Sequence, residues 1–158
     1  MEKKVWKVIN SIQFRDTNQC IKFLKKKNYK LSPWIIDIFK NKRKYLKCKF
    51  PKNLYKIKVH ELGFKKPAPL YKIYEKIKKK GYKLVDPAIA LYVRTIYNEQ
   101  KKGEWLRFAT SMNGMIDSDG IPHLPKLGSA LNLFFIETYW SYKKAIFHPH
   151  NEFIVQGK

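Results

Sequence analysis

Several residue types and patterns on which common protein functions depend are scarce in this sequence. It contains only two cysteines, Cys20 and Cys48, so we expect neither a disulfide framework nor a cysteine-based metal cage. Its seven glycines form no GxGxxG or P-loop pattern. No apolar run approaches the roughly 20 residues of a membrane span, and the charged amino terminus lacks the apolar core of a secretory signal. We therefore expect a cytoplasmic protein with reduced thiols and no bound cofactor.

Acidic residues are also scarce, and the basic residues are concentrated in the first half of the chain. The 158 residues include 34 Lys and Arg against 12 Asp and Glu, which gives a formal net charge of +22. Residues 1–83 hold 26 basic and 5 acidic residues, a net charge of +21, whereas residues 84–158 hold 8 and 7 and are nearly neutral. Such a positive field attracts phosphate polymers or anionic surfaces.

Arginine is rare among the basic residues, with four arginines among the 34. Proteins that recognise specific bases depend on the planar guanidinium group of arginine, which forms two hydrogen bonds to one guanine. Lysine instead acts as a point charge on phosphates. The lysine excess therefore predicts contact with the backbone of DNA or RNA without sequence preference. Codon usage in an A/T-rich genome would produce the same excess with no partner attached, and this second interpretation stays open.

The candidate binding residues lie in and just before a stretch that alternates apolar and basic side chains. Residues 46–50 and 54–60 both alternate, with Pro51 between them, which predicts a hairpin or a single strand at 54–60. Each basic side chain here would neutralise a phosphate and release counterions. The eight candidates are Lys40, Lys42, Arg43, Lys44, Lys47, Lys49, Lys56 and Lys58. Aromatic residues among the lysines, above all Tyr45 and Tyr82, would stack on unpaired bases if they are exposed.

Helix signals recur along the first two thirds of the chain. Asp16 and Ser32 are typical N-caps, proline follows Ser32, and Gly81 stands where helices commonly end. Apolar residues at helical spacing support the same elements. Helices are predicted at 5–14, after Asp16, from Pro33, at about 69–80 and at about 87–97.

The last third of the chain is richer in residues typical of strands. Strands are predicted at 104–112, 131–140 and around 153–155, with a tight turn at 117–120. We therefore predict an α+β fold, with a basic helical N-terminal half containing one hairpin or strand, joined to a small antiparallel sheet. The predicted division is a basic helical extension at 1–53 and a globular domain at 54–158, or one continuous domain over 1–158.

Four segments stand in a distinctive order from Val59 to the end: HELGFKKPAPLYKIYEKIKKKGYKL, LYVRTIYNEQKKGEWLRFA, IDSDGIP and HPHNEFIV. In this order they resemble a group of uncharacterised bacterial proteins, in which an ELGF segment leads into a helix and a GEWL strand, an SDG turn and an aromatic strand follow. This chain departs from the group at Val85-Asp86-Pro87, where the relatives often have Cys-Pro. The resemblance implies one globular unit and no particular activity, cofactor or catalytic residue.

Few residues have the spacing of metal ligands. His148-Pro149-His150 would need His123 to complete a three-histidine zinc set, which requires the turn before His123 to fold back on the last strand. Asp117 and Asp119 lack the later ligands of a calcium loop. We therefore predict no metal site, and we expect both cysteines to be packed thiols.

A small nuclease or toxin-like hydrolase is the alternative function. Asp86 followed by Glu99 and Lys101 imitates a nuclease pattern in which two carboxylates hold Mg²⁺. Glu104, Arg107 and His60 would suit a metal-independent ribonuclease, which needs an acid, a base and a cation around a phosphate. A third hypothesis is a protein-interaction domain whose lysine excess is compositional. The sequence leaves the oligomeric state open.

Overall fold

The computed structural model describes residues 3–41 and 49–158, apart from the side chain of Asn41. The helices are α1 (Thr17–Lys26), α2 (Pro33–Asn41), α3 (Leu70–Lys79) and α4 (Pro87–Ile96). The strands are β1 (Lys7–Ile9), β2 (Lys30–Leu31), β3 (Lys52–Lys58), β4 (Ala68–Pro69), β5 (Trp105–Phe108), β6 (His123–Ala130), β7 (Leu133–Trp140), β8 (Ile146–Phe147) and β9 (Glu152–Gln156). A short 3₁₀ helix covers Val59–Leu62.

Seven of these strands form one mixed sheet in the order β1-β3-β9-β5-β6-β7-β2. The β5–β9 and β2–β7 pairs are parallel, and the other neighbours are antiparallel. The last strand, β9, therefore lies between β3 and β5 in the middle of the sheet. β4 and β8 form a separate two-stranded ribbon. None of the helices in the described residues has both the length and the hydrophobicity that a membrane crossing requires.

The predicted arrangement, a helical N-terminal half joined to a small antiparallel sheet, is wrong. β1, β2 and β3 lie in the first part of the chain and belong to the seven-stranded sheet, and the four helices are spread along the sequence. The reason is that strands of two or three residues carry no readable period-two pattern, and their pairing partners are distant in sequence. The fold is α+β, but it is built mainly on sheet.

The helix predicted at 5–14 is also wrong, because Lys7–Ile9 pairs with β3 instead. Its apolar spacing resembles one helical face, yet Val8 is exposed and Ile9 is buried, as in an edge strand with one covered face. The strand predicted at 54–60 is present as β3 (Lys52–Lys58), and the hairpin interpretation stays a prediction. Residues 46–48 lie outside the described residues, and Lys49 and Phe50 are not in a strand.

The other predicted helices are confirmed, and their caps explain where they begin and end. The Asp16 carboxylate accepts a hydrogen bond from the Gln19 amide at 3.0 Å, and the Asp86 carboxylate accepts one from the Ala88 amide at 2.8 Å. The Ser32 hydroxyl accepts one from the Trp34 amide at 3.2 Å. These side chains satisfy amides that the first helical turn leaves unpaired. Gly81, with φ +90°, follows α3 in the left-handed conformation.

One face of the sheet is covered by α1, α2 and α4. Leu106, Leu127, Ile136 and Ile154 project from neighbouring strands into this core and are buried. On the opposite face, α3 and the β4–β8 ribbon pack on side chains of β3, β9 and β6, such as Ile57, Phe153 and Leu124. None of the helices or the ribbon among the described residues covers the part of that second face with Trp105, Arg107 and Lys126 on β5 and β6.

Candidate functional site

The uncovered part of the second face carries aromatic and charged side chains at matched positions on three strands. On β5 and β6, Trp105 is opposite Gly128 and Arg107 is opposite Lys126. On β7, Phe135 is opposite Gly128, and Glu137 is opposite Lys126. Side chains at matched positions project to the same face of a sheet. We call this surface the open sheet face and define it by its five half-buried side chains: Trp105, Arg107, Lys126, Phe135 and Glu137.

The Trp105 indole lies against the backbone of β6. A Cβ atom built at Gly128 would be 2.1 Å from the indole ring, so the ring occupies the space that any other residue would fill. The Phe135 ring lies beside it, with centroids 6.0 Å apart and planes inclined at 41°. The Lys126 ammonium is 4.8 Å from the indole centroid, within the range of a cation–π interaction. The indole is therefore held in place by backbone, ring and cation together.

Arg107 and Lys126 are two cations side by side on this face. Among the described residues, no carboxylate lies within 4 Å of the Arg107 guanidinium, and its buried Nε–H has no hydrogen-bond partner. The Lys126 ammonium has one loose ion pair, 3.9 Å from a Glu137 carboxylate oxygen. Burial lowers the pKa of Arg107. Burial, and secondly the charge of Arg107, lower the pKa of Lys126. An anion bound here would relieve that repulsion.

A cavity of about 400 Å³ adjoins the open sheet face, where the parallel strands β5 and β9 begin. This volume is within the range of small-ligand pockets. Its lining residues include three with basic or potentially basic side chains, two acidic residues and a tryptophan. The main lining residues are Glu104, Trp105, Arg107, Lys126, His150 and Glu152.

Glu104 is the most tightly bound of these groups. Its carboxylate accepts hydrogen bonds from the Lys56 ammonium at 2.9 Å and from the Tyr97 hydroxyl at 2.8 Å. Burial, followed by the hydrogen bond to Glu104, raises the pKa of Tyr97, which keeps its hydroxyl protonated as the donor. The Lys56 ammonium also lies 5.1 Å from the Trp6 ring centroid. Lys56, one of the predicted binding residues, is thus already engaged by a carboxylate and two aromatic rings.

The other predicted binding lysines fall into two groups. Lys40, Lys49 and Lys58 are exposed on α2, before β3 and at the end of β3. The remaining four lie outside the described residues: Lys42, Arg43, Lys44 and Lys47. Their role in binding stays a prediction.

His123 is part of a buried hydrogen-bonded pair. It is fully buried, with one ring nitrogen 2.8 Å from the Asp117 carboxylate and the other 2.9 Å from the Thr138 hydroxyl. The second oxygen of Asp117 accepts two backbone amides of its own turn. His148 and His150 stack on each other with centroids 5.7 Å apart. Within residues 3–41 and 49–158, no three His, Cys, Asp or Glu side chains are grouped as metal ligands.

The structure separates the residues of the first nuclease pattern and brings together two residues of the second. Asp86 caps the start of α4 and Glu99 follows its end, so about 15 Å of helix separates them. The Glu99 carboxylate pairs instead with Lys7 at 3.1 Å. In contrast, Glu104 and Arg107 line the same cavity, where His150 rather than His60 accompanies them.

Cys20 and Tyr82 are packed residues. Cys20 is fully buried, and burial raises the pKa of its thiol to about 12, which confirms the expectation of an inert packed thiol. The half-buried Tyr82 ring lies against Tyr55, with centroids 5.3 Å apart. Cys48 and Tyr45 lie outside the described residues.

Trp105 and Lys126 are the site residues that sequence reasoning missed. Pro125 and Gly128 are residues that disfavour strands, so the sequence does not predict the long strand β6. Without β6, the sequence gives no reason to place Lys126 beside Arg107.

No family model matches the chain, and neither does any curated protein or solved structure. The resemblance to bacterial proteins therefore stays a prediction. The function has to be inferred from the geometry of the site.

Proposed function

We propose that the protein binds the phosphate backbone of nucleic acid without sequence preference, and that Arg107 and Lys126 form the centre of the contact surface. The observation that carries the proposal is the juxtaposition of these two cations on β5 and β6, with no carboxylate on Arg107 among the described residues. Two half-buried like charges destabilise each other, and a phosphate between them offsets that cost.

The charge of the whole chain supports the same partner. A net charge of +22 raises the local concentration of polyanions and steers them towards the surface. Exposed lysines in the first part of the chain, including Lys40, Lys49 and Lys58, add to the positive field that attracts a polyanion. If about six cations take part, the logarithm of the binding constant falls with log salt at a slope of about −5.

The test is fluorescence anisotropy with labelled oligonucleotides over a series of salt concentrations. The double variant Arg107→Gln/Lys126→Gln removes two phosphate contacts and should make the salt slope less negative by about 2. The matched control is Lys143→Gln/Lys144→Gln, which loses the same charge at exposed positions away from the cavity. An equal effect of both pairs of substitutions, or no binding by the unaltered protein at about 50 mM salt, would exclude the proposal.

RNA cleavage is a second candidate function, favoured by the arrangement of Glu104, Arg107 and His150 around one cavity. In this reaction the Glu104 carboxylate gives up its hydrogen bond from Tyr97 or Lys56 and accepts the proton of a ribose 2′-hydroxyl, whose oxygen attacks phosphorus. Protonated His150 donates a proton to the departing 5′-oxygen, which leaves a 2′,3′-cyclic phosphate and a 5′-hydroxyl. The cations Arg107 and Lys126 stabilise the charge on the phosphorane.

Labelled RNA incubated with and without a chelator separates cleavage from binding. Cleavage that is lost in His150→Ala and retained in His148→Ala, its stacked neighbour outside the cavity lining, supports this second function. Binding of intact RNA with no cleavage product leaves the first proposal standing and ends the second.

A further inference from the structure

We infer that the nucleic acid bound at the open sheet face is single-stranded, with one unpaired base stacked on Trp105 and the neighbouring phosphates held by Arg107 and Lys126. This inference rests on the proposed function and adds the class of nucleic acid. It depends on the indole beside the cations, which backbone binding alone does not require.

The first argument is the position of the indole. One side of the ring is occupied by the Gly128 backbone, as the 2.1 Å approach of a virtual Cβ shows, while Trp105 also lines the cavity. A ring seated against backbone on one side can accept a base only on its other side, and the Lys126 ammonium, 4.8 Å from the ring centroid, moves aside to a phosphate when the base stacks. A half-buried tryptophan next to a cavity thus presents a flat apolar surface of about the width of a base.

The second argument is that the backbone under the ring is held rigidly. Arg94 is fully buried on the helix-covered side of the sheet, and its guanidinium donates to the Gly128 carbonyl at 3.1 Å and the Phe135 carbonyl at 3.2 Å. Burial lowers the pKa of Arg94 to about 10, so it remains charged at neutral pH. The two residues that contact Trp105 are therefore tied to one buried side chain, and little flexibility is lost when a base stacks.

The third argument is the chemistry of the surroundings. Proteins that bind single strands without sequence preference combine cations that follow the backbone with aromatic rings on which bases stack. Arg107 and Lys126 supply the cations, and Trp105 supplies the ring. Phe135, 6.0 Å from Trp105, extends the aromatic surface towards a second base.

A duplex cannot contact both the cations and the face of the Trp105 ring. Its bases are paired and stacked on one another, so they offer no free ring face to Trp105. A duplex would meet only the cations, and the aromatic part of the face would stay unfilled. The site therefore distinguishes single strands from duplexes through Trp105.

The test compares four ligands at one salt concentration: a single strand of about 12 nucleotides, its duplex, an abasic strand of the same length, and inorganic polyphosphate. We expect the single strand to bind most tightly and to quench tryptophan fluorescence. Trp105→Leu should weaken single-strand binding about 5- to 150-fold and leave abasic-strand and polyphosphate binding unchanged.

The matched control is Trp140→Leu, which removes a tryptophan exposed on the opposite face of the sheet and should leave binding unchanged. Trp105→Phe, which keeps an aromatic ring, should retain most of the affinity and guards against a failure of Trp105→Leu to fold. Circular dichroism checks the folding of all three variants.

The outcomes separate this inference from the proposed function. Equal affinity for all four ligands, or an equal effect of Trp105→Leu on all of them, overturns the inference and leaves backbone binding in place. Failure to bind any nucleic acid overturns both. Tighter binding to anionic lipid vesicles or to poly-glutamate than to the single strand also overturns the inference, because the face would then serve a membrane or an acidic protein.

Discussion

At the scale of single residues, Gly128 determines how the indole of Trp105 lies on the sheet. Its missing side chain leaves room for the ring, which a Cβ atom would approach to 2.1 Å. A separation so short cannot be absorbed by small adjustments, since the obstacle is the middle of a rigid ring system. The geometry of the candidate site therefore depends on a glycine, which has no side chain and no functional group of its own.

Replacing Gly128 with alanine tests this dependence. We expect Gly128→Ala to lower the free energy of unfolding by about 1–3 kcal/mol, because the indole has to move off the β6 backbone. Urea denaturation measures the change. In a Trp105→Leu background the same substitution should cost less, with a coupling energy of at least about 0.5 kcal/mol. An equal cost in both backgrounds would show that the ring does not occupy this space.

The protonation of Asp117 links the stability of the fold to pH. The hydrogen bond from His123, together with the amides of Ile121 and Asp119, lowers the pKa of Asp117 although burial opposes them. The folded pKa is thus below the unfolded value of about 3.9, so the carboxylate stabilises the fold above pH ~4. That contribution is lost as the pH falls through the folded pKa.

We therefore expect Asp117→Asn to be less stable than the unaltered protein at pH 7, with a difference that shrinks below about pH 4. Urea denaturation at a series of pH values measures this difference directly. Asp119→Asn, at the exposed neighbour in the same turn, is the control and should follow the unaltered protein. A difference that stays constant with pH would mean that the Asp117 charge does not contribute to folding.

At the scale of elements, the helices are determined locally and the strands are not. Caps and apolar faces predict α1, α2, α3 and α4 because the groups that start and stop a helix are close in sequence. The sequence pattern does not predict β6, and it predicts a helix where β1 lies. Their hydrogen-bond partners lie in other parts of the chain, so the sequence pattern around each strand contains only half of the information.

The cap of α1 provides the prediction at this scale. Asp16 is fully buried and accepts a hydrogen bond from the Gln19 amide, while the Gln19 side chain accepts one from the Arg15 amide at 2.7 Å. Asp16→Ala should lower the free energy of unfolding by about 1–2 kcal/mol. Asp16→Asn, which keeps an oxygen acceptor, should lose much less. Equal losses in the two variants would assign the effect to the charge of Asp16 and not to the cap.

At the scale of the whole molecule, the main electrostatic feature is the net charge of +22. Like charges on one folded chain repel one another and destabilise the compact state, and added salt screens them. We expect the Tm to rise by a few degrees between about 10 mM and about 150 mM NaCl. Thermal unfolding followed by circular dichroism measures this shift. A Tm that stays constant over this range would contradict a net repulsion, and a Tm that falls would show that attractive ion pairs outweigh the repulsion.

The candidate site also shows why charge along the chain differs from charge in space. Counting lysines located the excess in residues 1–83, yet the cation pair of the open sheet face comes from the nearly neutral part of the chain. Lys56 belongs to the basic part and is paired with Glu104, 48 residues away. Glu104 and Arg107 were recognised from the sequence as possible phosphate-handling groups, whereas their neighbours Trp105 and Lys126 were not.

The sequence by itself determined the sign and size of the net charge, and it determined the capped helices, since each depends on composition or on residues within one turn of each other. Only the tertiary structure decided which cations are neutralised and which are left without a carboxylate. It also decided that an indole lies beside two of them. The physical reason is that side chains on neighbouring strands meet through the register of the sheet, and β5 pairs with β6 and β9, whose residues are distant from it in the chain.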